Sequence, residues 1–88
     1  MKVKINKRFL KDLAEIPAGD RQKIEAFVFD ESANLESIES AGTFEKLKGY
    51  HHFYRVRFGN YRVGVKYEDE VLTFERVLHR REIYRYFP

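Results

Sequence analysis

Residues 53–67 read FYRVRFGNYRVGVKY, and the alternation within that stretch decides the fold. Tyr54, Val56, Phe58, Tyr61, Val63, Val65 and Tyr67 fall on one side of an extended chain, the period-two pattern of a half-buried strand pair. Arg55, Arg57, Arg62 and Lys66 fall on the other side. Gly59-Asn60 has the composition of a two-residue hairpin turn. Such a turn sets Phe58 opposite Tyr61, Arg57 opposite Arg62 and Arg55 opposite Gly64. Three guanidinium groups then share one patch, where like charges facing each other across a ladder repel. An anion held between them would offset that repulsion, and phosphate fits paired guanidinium forks. The blander account is a solvated strand face whose charges discourage edge pairing.

Working outward, Val3 and Ile5 alternate with Lys2 and Lys4 as a short strand over residues 1–5. From Lys7, Phe9, Leu10, Leu13 and Ile16 share one helical face, and Pro17 with Gly19 ends that helix. Asp20 is placed to cap a second amphipathic helix carrying Ile24, Phe27 and Val28 and extending toward Leu35, so that the pair forms an αα-hairpin. The stretch SANLESIESAG, residues 32–42, reads as a fraying helix end and a loop. Strand signals return at residues 44–48 and 71–78. In the last of these, Leu72, Phe74 and Leu78 share a phase that also takes in Arg76, which calls for a bulge or a lining role for that arginine. The tail HRREIYRYFP predicts a helical turn or a docked segment, with Ile83, Tyr86 and Phe87 in the core. The order strand, helix, helix, then three or four antiparallel strands predicts an α+β fold: two N-terminal helices against one face of a small twisted antiparallel sheet. The arginine face is left outside.

At 88 residues the chain has room for a single domain spanning 1–88. Composition is that of a globular protein, 43% hydrophobic and 35% charged, with eight Phe and six Tyr. No apolar run approaches a membrane span and the first residues lack a signal-peptide core, so a cytoplasmic location without membrane contact is the expectation. The chain has no cysteine, which removes disulfides and thiolate metal sites. Net charge is only +3, yet it is unevenly spread: residues 30–45 hold five carboxylates and no Lys or Arg, whereas residues 46–88 hold ten cations against five carboxylates. A basic surface interleaved with aromatic rings suits nucleic acid, since cations meet phosphates and flat rings meet bases. An acidic protein partner would fit the same composition.

Beside the hairpin arginines, His79 with Arg80, Arg81 and Tyr84 forms a second constellation just past the last strand. His is the side chain that titrates nearest physiological pH; a hydrogen-bonded surface histidine is the ordinary alternative. Lys46 and Lys48 lie two apart and would share a strand face, extending a basic groove, unless they are simply solvated beside a turn at Gly49. Lys66 and Arg76 are further candidates for RNA or phosphate contacts. The adjacent His51 and His52 have poor metal-ligand spacing because strand neighbours point to opposite faces, so no metal and no cofactor is assigned. No glycine-rich phosphate loop, nucleophile elbow or paired-carboxylate site stands out.

KLKGYHHFYRVRFGNYRVGV at residues 46–65 and RVLHRREIYRYF at residues 76–87 resemble the RelE/ParE superfamily of toxins from bacterial and archaeal toxin–antitoxin systems. The likeness spans nearly the whole chain, and its most specific parts are the LKG turn, the arginine hairpin and the terminal HRR followed by Tyr84. The resemblance implies a cognate antitoxin that wraps the toxin and blocks its basic site. For the RelE branch it implies an endoribonuclease that cleaves messenger RNA in the ribosomal A site by metal-free attack of a ribose 2′-OH on the adjacent phosphate. By family position, Arg55 and Arg57 stand where studied members have lysines, Arg62 matches the hairpin arginine, Arg80 or Arg81 the C-terminal arginine, and Tyr84 the C-terminal tyrosine. Arginine is a poor base, so the expectation is His79 as acid or base. Arg57, Arg62 and Arg80 would clamp the phosphate, and Tyr84 would orient the 2′-OH or stack on a base. The ParE branch offers a different class of function, inhibition of DNA gyrase by binding. An inactive antitoxin-binding module is the third possibility.

Overall fold

The computed structural model describes residues 1–39 and 42–88, and positions 40 and 41 of the expected loop lie outside the described residues. Five strands, β1 (Lys2–Ile5), β2 (Glu45–Lys46), β3 (Phe53–Phe58), β4 (Tyr61–Glu68) and β5 (Val71–His79), form one sheet in the order β1-β5-β4-β3-β2. The sheet is antiparallel from β2 to β5, but β1 runs parallel to β5, with Lys2 beside Val71 and Ile5 beside Phe74. The sheet is therefore mixed, where an antiparallel one was expected. Two helices, α1 (Lys7–Ala14) and α2 (Ala18–Glu25), cover one face. None of the helices among the described residues is long and apolar enough to cross a membrane.

Local chemistry sets the helix ends. Asn6 caps α1, its Oδ1 accepting the Phe9 N–H at 2.9 Å. Phe9 and Leu13, four apart, are the buried stripe of that helix. Asp20 does not cap α2: the helix begins at Ala18 directly after Pro17, whose φ of −54° already suits a helix. Asp20 instead lies in the first turn, where a carboxylate favours the positive end of the helix dipole. The helix widens into a π-turn over Ala26–Glu31 and tightens into a 3₁₀ turn over Ser32–Asn34. Leu35 is extended rather than helical. Ser32 is fully buried, its hydroxyl donating to the Val28 carbonyl at 2.8 Å.

The hairpin register is the one its alternation and turn require: Phe58 opposes Tyr61, Arg57 opposes Arg62 and Arg55 opposes Gly64. Val56, Val63 and Val65 are buried beneath the helices with Leu72, Phe74 and Val77 of β5. The phase of β5 is resolved by a bulge: Gly64 opposes Arg76 and Val65 opposes Phe74, so Glu75 is the extra residue. Val77 thereby takes the core position, and Leu78, expected there, passes to the other face. Phe74 anchors the core, with ring centroids 5.5 Å from Phe9 and 6.1 Å from Phe27.

A smaller cluster occupies the opposite face. Leu47, Ile83 and Phe87 are buried there against Phe53 and Leu78, which docks α3 (Ile83–Tyr86) and the tail over the sheet. Phe87 lies on Gly64, whose missing side chain makes room for it: a Cβ at position 64 would stand 2.6 Å from the Phe87 ring. Tyr86, expected in the core, is exposed.

Candidate functional site

The face left open by the helices carries Arg55 and Arg57 on β3 and Arg62 and Lys66 on β4, because alternate strand residues share a side. An anion does lie among the arginines, and it belongs to the chain. Glu45 opposes Arg55 across the β2–β3 ladder. Its Oε1 stands 2.8 Å from Arg57 Nε and 3.6 Å from Arg55 Nε. The carboxylate offsets the repulsion of the two cations, yet it is 40% exposed, so the pairing adds little stability and can be exchanged for another anion.

Each arginine is held differently. Arg62 folds back onto the hairpin turn, Nη1 donating to the carbonyls of Gly59 at 2.7 Å and Tyr61 at 3.0 Å. Arg55 donates through Nη1 to the Tyr84 hydroxyl, with Cζ 5.7 Å from the centre of that ring. Its Nε is buried with no hydrogen-bond partner. Tyr84 is exposed, but Ile83 beside it is fully buried and fixes where it stands. At the far end of β4, Lys66 Nζ lies 3.4 Å from Glu68 Oε1 and His52 Nε2 lies 3.2 Å from Glu68 Oε2.

Other sequence candidates lie elsewhere. Lys46 opposes Tyr54, which puts it on the helix side of the sheet and away from Lys66 and the arginines. Strand β2 ends there, so Lys48 is not on a strand at all. It lines a cleft with Tyr50, Arg55 and Tyr84. His79 opposes Tyr61 on the helix side, the two rings edge-on at 5.6 Å, and its Nδ1 accepts the Arg81 N–H at 3.2 Å. The structure thus does not bring His79 together with Arg57 and Arg62. Arg80 and Arg81 are exposed beyond β5, and the Arg80 N–H donates to Asn60 O at 2.8 Å, which ties that segment to the hairpin tip.

Arg76 is bound into the scaffold. Its Nε and Nη2 donate to Asp12 of α1 at 2.7 and 3.1 Å, and the Val77 N–H donates to the same carboxylate at 3.2 Å. The Asp12 hydrogen bond, opposed by burial and aided by the carboxylate's charge, raises the Arg76 pKa above its ordinary value. The guanidinium also lies 5.3 Å over the Tyr86 ring. Asp12 therefore satisfies the edge of β5 where β1 has ended. Among the described residues no group of three or more His, Asp or Glu side chains is placed to hold a metal ion.

Sequence reading missed Glu45, Tyr50 and the Phe87–Gly64 contact. The segment FEKLK alternates equally well in either phase, because both faces of this sheet have an apolar cover for Leu47 or Phe44 to enter.

A family model described as the ParE toxin of type II toxin–antitoxin system, parDE, matches residues 3–84. The chain is 43% identical to Toxin RelE3 of Methanocaldococcus jannaschii over the full length of both. It is also similar to a chain of the RelB–RelE antitoxin–toxin complex from Methanococcus jannaschii, with TM-score 0.80 and 40% identity, covering 97% of this chain and 99% of that one. A chain of the archaeal RelE–RelB complex from Pyrococcus horikoshii OT3 is similar too, with TM-score 0.68 and 26% identity, covering 90% of this chain and 93% of that one.

Proposed function

Since the chain belongs to the RelE/ParE superfamily of type II toxin–antitoxin toxins, we propose that it is an endoribonuclease that cuts messenger RNA on the ribosome, with the open arginine face as its reactive surface. Its protein partner is a cognate antitoxin, as the relatives crystallised with RelB suggest. One observation carries the reading: Arg55, Arg57 and Arg62 meet on a face where an exchangeable carboxylate already sits between cations.

The reaction forms a bond from the ribose 2′-oxygen to phosphorus and breaks the bond to the 5′-oxygen, leaving a 2′,3′-cyclic phosphate and a 5′-OH. It needs an acceptor for the 2′-OH proton, cations for the charge that grows on the phosphoryl oxygens, and a donor for the leaving oxygen. Arg57 and Arg62 oppose each other and supply the cations, with Arg80, tied to the hairpin tip through its backbone, as the third. An incoming phosphate displaces Glu45 from the guanidinium groups. The freed carboxylate, on the same face, takes the 2′-OH proton, a role the position of His79 does not suit. Tyr84 orients the ribose, and its O–H can serve the leaving oxygen.

Mapping of messenger RNA ends after adding the protein to translating ribosomes tests this. The expected result is new 5′-OH ends within A-site codons, lost in an Arg57→Ala, Arg62→Ala double variant and reduced on the order of 100-fold or more in Glu45→Gln. Cleavage that survives Glu45→Gln but fails in His79→Ala would reverse the proton-acceptor assignment. The ParE description of the matching family model favours a second reading, gyrase inhibition by binding. Loss of supercoiling by purified gyrase, with ribosome-bound messages left intact, would select it.

A further inference from the structure

The cleft beside the arginines, on the same side of the sheet, has two exposed aromatic walls. Tyr50, from the turn after β2, and Tyr84 of α3 both line it, Leu47 and Phe87 close its apolar side, and Lys48 and Arg55 supply positive charge. Both tyrosines are about half exposed, 49% for Tyr50 and 53% for Tyr84. Only Tyr84 is engaged by a polar contact within the site, its hydroxyl accepting from Arg55. Tyr50 stands at right angles to Phe53 with ring centroids 6.1 Å apart. The cleft measures about 280 Å³. That is just below the roughly 300–1,000 Å³ of clefts that take drug-sized ligands, and it leaves room for one planar ring system. Arg55 links the cleft to the reactive surface, because the same guanidinium that touches Tyr84 lies beside Glu45.

With Tyr84 as the wall on which a base beside the reacting phosphate stacks, we propose that Tyr50 is the outer wall of this cleft and a determinant of which nucleotides are cut. The proposal rests on the ribonuclease reading above. An aromatic wall stacks on any base, while Lys48 at the rim favours bases that present acceptor groups to it. Two tyrosines and two cations around an apolar floor combine stacking with phosphate attraction, the two elements that single-strand recognition requires.

A binding titration separates this pocket from the reaction. Short single-stranded RNA carrying 2-aminopurine is titrated with the Arg57→Ala, Arg62→Ala protein, in which cleavage is disabled, and with the same protein bearing Tyr50→Ala or Tyr50→Phe. Wild-type protein from the same preparation is assayed for cleavage on translating ribosomes. The expected result is fluorescence quenching whose half-saturation rises about ten-fold or more in Tyr50→Ala and is restored in Tyr50→Phe. On ribosomes, Tyr50→Ala shifts the nucleotide preference at the cut and raises KM more than it lowers kcat. Quenching that is absent, or equal in all three proteins, overturns the pocket. Cleavage by wild type alongside that result leaves the ribonuclease reading standing. Quenching that depends on Tyr50, without cleavage by wild type, leaves a base-binding cleft but overturns the reaction and with it the role of Tyr50 in choosing the cut.

Discussion

The two faces of the β3–β4 hairpin differ in what holds them. On the helix side, Val56, Val63 and Val65 are at most 2% exposed and share one core with Phe74, so burial of apolar area fixes these positions. On the other side, like charges are set opposite each other and are kept in order by one half-exposed carboxylate and a short tail resting on a glycine. The first face can lose little without loss of the fold, whereas the second stores groups whose partners can be exchanged. Stability and reactivity have been divided between the two sides of one pair of strands.

The largest expected effect comes from breaking the closed face. Phe74→Ala removes a fully buried ring from contact with Phe9 and Phe27 and should cost about 3–5 kcal/mol, read from the shift of a urea unfolding midpoint. Next is the clasp between α1 and the edge of β5. Asp12→Ala strands the mostly buried Arg76 charge and the Val77 N–H, at a cost of about 3 kcal/mol in the same assay. Pairing raises the Arg76 pKa, so its contribution is complete below the ordinary arginine value and is lost only as pH rises through the higher, folded one. Moderately alkaline buffer should therefore leave this clasp intact.

Smaller effects belong to the open face. Gly64→Ala drives a methyl group into the Phe87 ring and should cost about 1–3 kcal/mol. It frees the C-terminal tail for proteolysis while the helix-side core stays folded. Adding Phe87→Ala to it should cost less than the two single changes together, which a double-mutant cycle measures. The smallest expected change in stability is that of Glu45→Gln, within about 1 kcal/mol of wild type, although the proposed reaction makes it strongly damaging for cleavage. Severe unfolding in Glu45→Gln would erase the contrast between the faces.

The closed face was legible because one side of each strand was strictly apolar, and the Gly59-Asn60 turn then fixed the register. The arginine patch followed from the same alternation. The pairing of Glu45 was not legible, since Glu45 and Lys46 compete for the same face and the choice depends on where Leu47 finds cover. That cover is Ile83 and Phe87, some forty residues later in the chain. His79 looked close to the arginines because Arg80 and Arg81 follow it. The bulge at Glu75 keeps Val77 and His79 on the helix side, a shift that spacing alone left undetermined. Asp12 was hidden for a different reason: it reads as an ordinary solvated helix residue until β1 ends and leaves an edge for it to cover.

The parallel pairing of β1 with β5 also has a consequence in time. Lys2–Ile5 leaves the ribosome well before its strand partner, Val71–Phe74, which is made nearly seventy positions later. Until then the first strand has nothing to pair with, and closing so long a loop is the slow kind of contact in folding. A nascent chain stopped before Val71 lacks β5 and its Phe74 together with the tail that carries Tyr84. Synthesis itself thus acts as a delay, and the arginine face acquires its full set of neighbours only once β5 and α3 have been made.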